Sequence, residues 1–120
     1  LPVRKERLLR EQGQGKREGL LLDDANRLYP DPDAPEVGRE TIDALRLRAH
    51  TIFTRIRDAH SGERVIVVAH GALMRAFLRS LFDGLDELVI PNTACTLLHW
   101  NGDWHLDYLA DASHLAPQAC

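Results

Sequence analysis

Cysteine is scarce in this 120-residue chain, which carries only Cys95 and Cys120. Two thiols without a spacing pattern make no disulfide framework, and Cys95, inside an apolar stretch, is expected as a buried thiol. An excess of one charge is also lacking. Fifteen Lys and Arg stand against eighteen Asp and Glu, interspersed, for a formal charge of −3. That balance argues against a nucleic-acid surface, which calls for a basic stripe. No apolar run nears the ~20 residues of a membrane span, and no signal-peptide pattern opens the chain. No nucleic-acid or membrane partner is therefore expected, and a cytoplasmic location fits best. Serine occurs three times, as Ser61, Ser80 and Ser113, and never in the Gly-x-Ser-x-Gly elbow of an α/β-hydrolase. Internal repeats and low-complexity tracts are missing. Methionine is missing at the start, where Leu1 leads straight into a charged, patterned segment; a processed or partial sequence is expected.

What is present reads as one domain of an α/β fold. Glycines 13, 15 and 19 oppose a helix over residues 1–19, which should form a shaped, charged loop. A short helix is expected over Leu20–Tyr29, ended by Pro30, Pro32 and Pro35 in an extended, exposed loop. From Thr41 to His60, Ile42, Leu45, Ala49, Ile52, Phe53 and Ile56 recur at three- and four-residue spacing, with Thr41 as N-cap and Ser61-Gly62 as the stop. Val65-Ile66-Val67-Val68-Ala69 then reads as a strand buried on both faces, as in a parallel sheet.

That strand delivers His70, and Gly71 opens a helix to about Phe82 that buries Leu73, Met74, Phe77, Leu78 and Leu81, with Arg75 and Arg79 nearer solvent. Strands over Ala94–Trp100 and Trp104–Leu109 flank Asn101-Gly102, a strong hairpin signal because both residues tolerate positive φ. Trp100 and Trp104 are expected as a cross-strand pair. His99 and His105 could face each other there, but two histidines without a third ligand rarely hold zinc. No metal site and no cofactor are expected.

The strand-His70-Gly71-helix junction is the most informative stretch. Ligands bind at the carboxyl edge of open α/β sheets, and a helix N-terminus there offers unpaired N–H groups to an anion. Position alone leaves His70 open as a structural or a phosphate-handling residue. Gly71 shifts the balance by letting a substrate approach the backbone. Glu11, in the glycine-rich loop, could act as general acid and base; Glu18 reads as solvated, and His114 as a structural tie.

Four segments in order carry a resemblance. Leu9 to Gly19 (Leu-x-Glu-x-x-x-Gly-x-x-Glu-Gly), Gly38-Arg39-Glu40-Thr41, Val67-Val68-Ala69-His70-Gly71 and Leu109 to Leu115 resemble motifs of the histidine phosphatase superfamily, the phosphoglycerate mutase-like proteins. In the last segment Ala110 replaces the usual asparagine. The resemblance implies a three-layer α/β/α sandwich with an antiparallel edge hairpin, N-terminally incomplete, with residues 1–120 as one partial domain.

It also implies metal-independent phosphomonoester hydrolysis or phosphoryl transfer through a phosphohistidine, on a small-molecule phosphate ester. Glu11 matches the family's proton-transferring glutamate and His70 its second histidine, which with Gly71 would hold phosphoryl oxygens. The family's nucleophile sits in an Arg-His-Gly motif, and in this chain no histidine follows an arginine. That nucleophile and both phosphate-binding arginines of the family belong to an upstream segment. Two readings stay open: the C-terminal portion of such an enzyme, or a non-catalytic phosphate-binding remnant or interaction module. Substrate, which the Asp23 to Val37 region should influence, and oligomeric state are not encoded in any motif.

Overall fold

In the computed structural model, which describes residues 1–115, two packed helices and a hairpin form the frame. Cys120 lies outside the described residues. Short 3-10 turns at Arg7–Leu9 and Gly15–Arg17 shape the N-terminal loop. Helix α1 spans Leu22–Leu28, α2 Ile42–Ala59 and α3 Gly71–Leu81, followed by strands β1 (Cys95–Trp100) and β2 (Trp104–Asp111).

Helix α2 starts where its sequence dictates: the Thr41 hydroxyl accepts from Ala44 N–H at 3.2 Å, satisfying one orphan donor of the first turn. It stops at His60, after which Gly62 takes φ +77°, a left-handed conformation that favours glycine. The expected apolar stripe packs as expected in its middle. Leu45 and Ala49 meet Leu73, Ala76 and Phe77 of α3, and Leu9, Ala69, Leu98 and Trp104 close around them. Phe77 is the hub. It stacks on Phe53 at 4.3 Å and takes the edges of His50 and Trp104 at 5.4 and 5.7 Å. Burying such a ring contributes about 1.5–3 kcal/mol.

The hairpin forms across residues 101–103, with Gly102 at φ +101°. The antiparallel register pairs Trp100 with Trp104 and Leu98 with Leu106. Trp100 and Trp104 make the expected cross-strand pair, which is edge-on at 5.4 Å. The register slips twice toward the far end, where Ala110 adopts φ +47° and its N–H donates to Thr96 Oγ1 at 3.0 Å. These are β-bulges, which bend the strand locally.

Two expectations require correction. Residues 65–69 do not form a strand buried on both faces: Ile66 is 80% and Val68 85% exposed. Their backbone groups make no hydrogen bond among the described residues, whose one sheet is the β1–β2 pair. Apolar sequence sets the extended tendency, but a strand needs a partner to supply its ladder. Cys95 is likewise exposed rather than buried, because a two-stranded hairpin leaves much of its surface uncovered. Helices with an antiparallel edge hairpin fit an α/β fold.

Candidate active site

The N-terminal loop and the start of α3 meet at one point. His70 occupies the N-cap position of α3 in extended conformation, exposed, and its carbonyl accepts from Met74 N–H at 3.0 Å. Two residues on, within the first turn, Ala72 N–H points at Glu11 Oε2, 3.4 Å away. The other carboxylate oxygen accepts from Gln12 N–H at 2.9 Å. The two candidate residues, 59 positions apart in sequence, thus lie at the same helix terminus. A carboxylate beside a helix N-terminus is favoured because the first N–H groups lack intrahelical partners and carry partial positive charge. Gly71 leaves this terminus open: a Cβ there would stand 3.2 Å from Arg75 Nη1.

The loop that holds Glu11 is fixed by Arg48, which no motif singled out, together with Glu40 and Gln12. Arg48, 8% exposed on α2, directs Nε and Nη2 to the two oxygens of Glu40 at 2.8 and 2.7 Å. Its remaining donors reach the carbonyls of Leu8, Arg10 and Glu11 at 2.7, 2.8 and 3.3 Å. A guanidinium has five N–H donors, and all are used. The Glu40 carboxyl is held below its usual pKa of 4.5, first by the Arg48 hydrogen bond and then by its charge, against the opposing effect of burial. Buried Gln12 adds a second tie, donating to the Glu40 carbonyl at 2.8 Å and accepting from Arg39 at 3.3 Å. Glu40 N–H in turn donates to the Gly13 carbonyl at 2.8 Å.

Gly15 lets the two segments touch. At φ +60° its Cβ position lies 2.0 Å from the Val37 carbonyl oxygen, so no side chain fits. Glu18 is exposed and accepts from Gln14 N–H at 2.8 Å, a turn-closing contact. His114 Nε2 sits 2.9 Å from Thr93 Oγ1, a structural tie. His99 and His105 do face each other, stacked at 4.7 Å, with Asp107 Oδ2 at 2.8 Å from His99 Nδ1. Among the described residues no group of three His, Cys, Asp or Glu is placed to hold a metal ion.

The pairing of a glutamate-bearing glycine loop with a strand-histidine-helix junction can be compared with known proteins. The sequence profile of the histidine phosphatase superfamily (branch 1) matches residues 1–111. This chain belongs to that superfamily. Its relatives within the histidine phosphatases include phosphoglycerate mutase-like protein 4 of Arabidopsis thaliana, 33% identical over 96% of this chain and 56% of that protein. The metal-independent phosphoserine phosphatase of the same plant is 32% identical over 66% of this chain and 34% of its own length. The uncharacterized phosphatase PhoE of Bacillus subtilis (strain 168) is 31% identical over 73% and 45%. The chain spans about half the length of the curated relatives it matches. No solved structure gives a significant match. No helix among the described residues of this histidine phosphatase family member is long and apolar enough to cross a membrane.

The missed signal is instructive for the superfamily member. Arg48 lies seven residues past Thr41 on a helix whose core face is otherwise apolar, at the position following Leu45 by three. Helical spacing alone puts it beside Leu45 and Ala49 on the buried side. A charge on that side demands a partner, and Glu40, at the helix entrance, is one within reach.

Proposed function

We propose that this chain is the part of a histidine phosphatase that carries the proton-transferring glutamate, Glu11, and the phosphoryl-holding histidine, His70, with a partner segment outside these residues supplying the nucleophile. The observation that supports it is the contact of Glu11 Oε2 with Ala72 N–H at the turn His70-Gly71 opens. A carboxylate oxygen already occupies the place where a helix terminus would receive a phosphoryl oxygen.

In the proposed cycle a histidine nitrogen from the partner segment attacks phosphorus of a phosphomonoester. The P–O ester bond breaks, and the departing oxygen takes a proton from Glu11. Water, deprotonated by Glu11 as it attacks, then cleaves the P–N bond and returns the enzyme with inorganic phosphate; an acceptor hydroxyl in place of water gives transfer. His70 and the backbone at Gly71 stabilise charge on the equatorial oxygens throughout. Phosphoryl transfer needs this positioning and charge complementarity more than covalent help. No metal or cofactor is required by the scheme. The exposed apolar segment at residues 65–69 would pair with the partner segment, completing a three-layer α/β/α sandwich with residues 1–120 as one part of the domain. A small-molecule phosphate ester and a cytoplasmic location belong to the same reading.

The test is a full-length protein read from the upstream coding DNA and assayed on an aryl phosphate in the presence of chelator. Turnover with an acid-labile phosphoprotein intermediate is expected, and Glu11→Gln should reduce it by about 10²–10⁴-fold, as loss of a general acid does. Should no in-frame Arg-His-Gly precede Leu1, the reading fails. Because no histidine follows an arginine in these 120 residues, the chain alone is expected to bind phosphate without turnover. Activity of the 120-residue chain that His70→Ala abolishes would overturn that second expectation.

A further inference from the structure

Between α2 and α3 runs a groove of about 160 Å³ whose polar lining is Gln12, Arg39, Arg46, Arg75 and Arg79, with Ala72 at one end. A single water needs about 10–15 Å³ of such volume, so the groove has room for several waters or one compact anion. Four guanidinium groups line it, and their neutralisation is incomplete. Arg39 meets Asp33 at 3.0 Å and Arg46 meets Asp43 at 3.7 Å, but both aspartates are strongly exposed, at 78% and 95%. Such pairs contribute little and are screened by solvent. Arg79 donates to the carbonyls of Leu85 and Asp86, which leaves its charge unpaired. Arg75 makes no hydrogen bond or ion pair among the described residues, and its Nη1 lies beside Gly71. Arg39 Nε is buried without any acceptor, and an unmet buried donor is costly. No carboxylate lines the groove; Glu11, outside its lining, accepts from the N–H of Ala72, which is part of it.

We infer that this groove is a second anion site, contiguous with the Glu11–His70 turn but built from different side chains, and that it takes a compact phosphate or carboxylate group. An oxyanion there would meet the unpaired fork of Arg75 and the guanidinium of Arg39, whose side chain is 26% exposed although its Nε is enclosed, and arginine forks bind oxyanions well. The shared chemistry admits two sources: a free anion, or a second anionic group on the molecule whose ester sits at Glu11. The inference does not depend on Glu11 and His70 acting in catalysis.

The experiment follows arginine Nε–H resonances of the 120-residue chain while inorganic phosphate is titrated at low ionic strength. Saturable shifts at Arg39 and Arg75 are expected. Arg46→Met with Arg75→Met should weaken binding about tenfold or more, the loss of roughly 1.4 kcal/mol or above, while Arg55→Met on the outer face of α2 leaves it unchanged. Equal weakening by Arg55→Met would reduce the effect to net charge and overturn the inference. Loss with His70→Gln but not with the groove variants would place the anion at the α3 terminus instead, overturning the groove site while leaving the proposed function intact. Comparing 3-phosphonopropanoate with ethylphosphonate separates the sources. A preference for the doubly anionic probe that vanishes in the groove variants supports a substrate's second group, and equal binding supports a free anion.

Discussion

Replacing Arg48 with methionine removes the side chain whose hydrogen bonds tie the Glu11 loop to α2. The substitution keeps most of the aliphatic volume and deletes five donors. Two of these serve the Glu40 carboxylate, itself only 14% exposed, and three serve loop carbonyls. Removing one partner of a buried pair costs about 3–5 kcal/mol, chiefly because the other charge is left without compensation. Water can reach the freed carbonyls of the loop, so the lower half of that range, about 3–4 kcal/mol, is expected. Ordinary domains hold about 5–15 kcal/mol in total, so the variant should unfold at much lower urea. Trypsin should also cut at Arg10, Lys16 and Arg17 under native conditions. Arg48→Lys, which keeps the charge but loses the planar fork, should fall between. The double variant Arg48→Met with Glu40→Leu removes both charges together and should regain much of the loss, giving a coupling energy of about 2 kcal/mol or more. A cost below about 1 kcal/mol for Arg48→Met, or strict additivity in the double variant, would refute the argument that this pair holds the loop.

Acid should act on the same contact. The Glu40 carboxyl lies below its ordinary pKa of 4.5 in the folded chain, so its stabilisation is fully present above that value and is lost as pH falls through the lower, folded value; urea midpoints measured down the pH scale should drop there, and the drop should disappear in Glu40→Gln. Gly15→Ala forces a Cβ to 2.0 Å from the Val37 oxygen at positive φ and should cost at least about 2 kcal/mol in thermal unfolding, whereas Gly19→Ala, with nothing near its Cβ position, should lose only the backbone share of about 1 kcal/mol. Ala110 holds φ +47° without the conformational freedom of glycine, and Ala110→Gly should stabilise by about 0.5–1 kcal/mol, a sign that calorimetry can check; a destabilised variant would count against strain at that position.

The elements legible in the sequence are those stabilised within themselves. Helices α2 and α3 begin and end within a residue or two of the expected limits, because Thr41, Gly62 and Gly71 act locally. The hairpin follows from Asn101-Gly102, although only Gly102 adopts positive φ and the loop takes three residues. Leu20–Tyr29 contracts to Leu22–Leu28. What misled was the assumption that apolar character means burial: Val65, Ile66 and Val68 are exposed, because burial depends on a neighbour no local pattern specifies. Met74 and Leu81 are half-buried rather than enclosed. At the site, Glu11 and His70 were legible as candidate residues because each lies in a short motif; their approach at the α3 terminus comes from the structure. The Arg48–Glu40 clamp was not read: the spacing of Arg48 from Leu45 marks it for the buried side, but its loop partners are set by tertiary contacts that no local pattern specifies.

The uncovered segment also has a practical consequence. Val65-Ile66-Val67-Val68-Ala69 combines high β-propensity with neither charge nor proline, and its N–H and C=O groups are idle on both sides among the described residues. Such a stretch is a template for intermolecular strand addition. Concentrating the 120-residue chain should therefore produce oligomers that grow through this segment, with Arg64 and His70 as the polar residues that flank it. A lysine at Ile66 or Val68, both facing solvent, should keep the chain monodisperse and leave the α2–α3 core untouched.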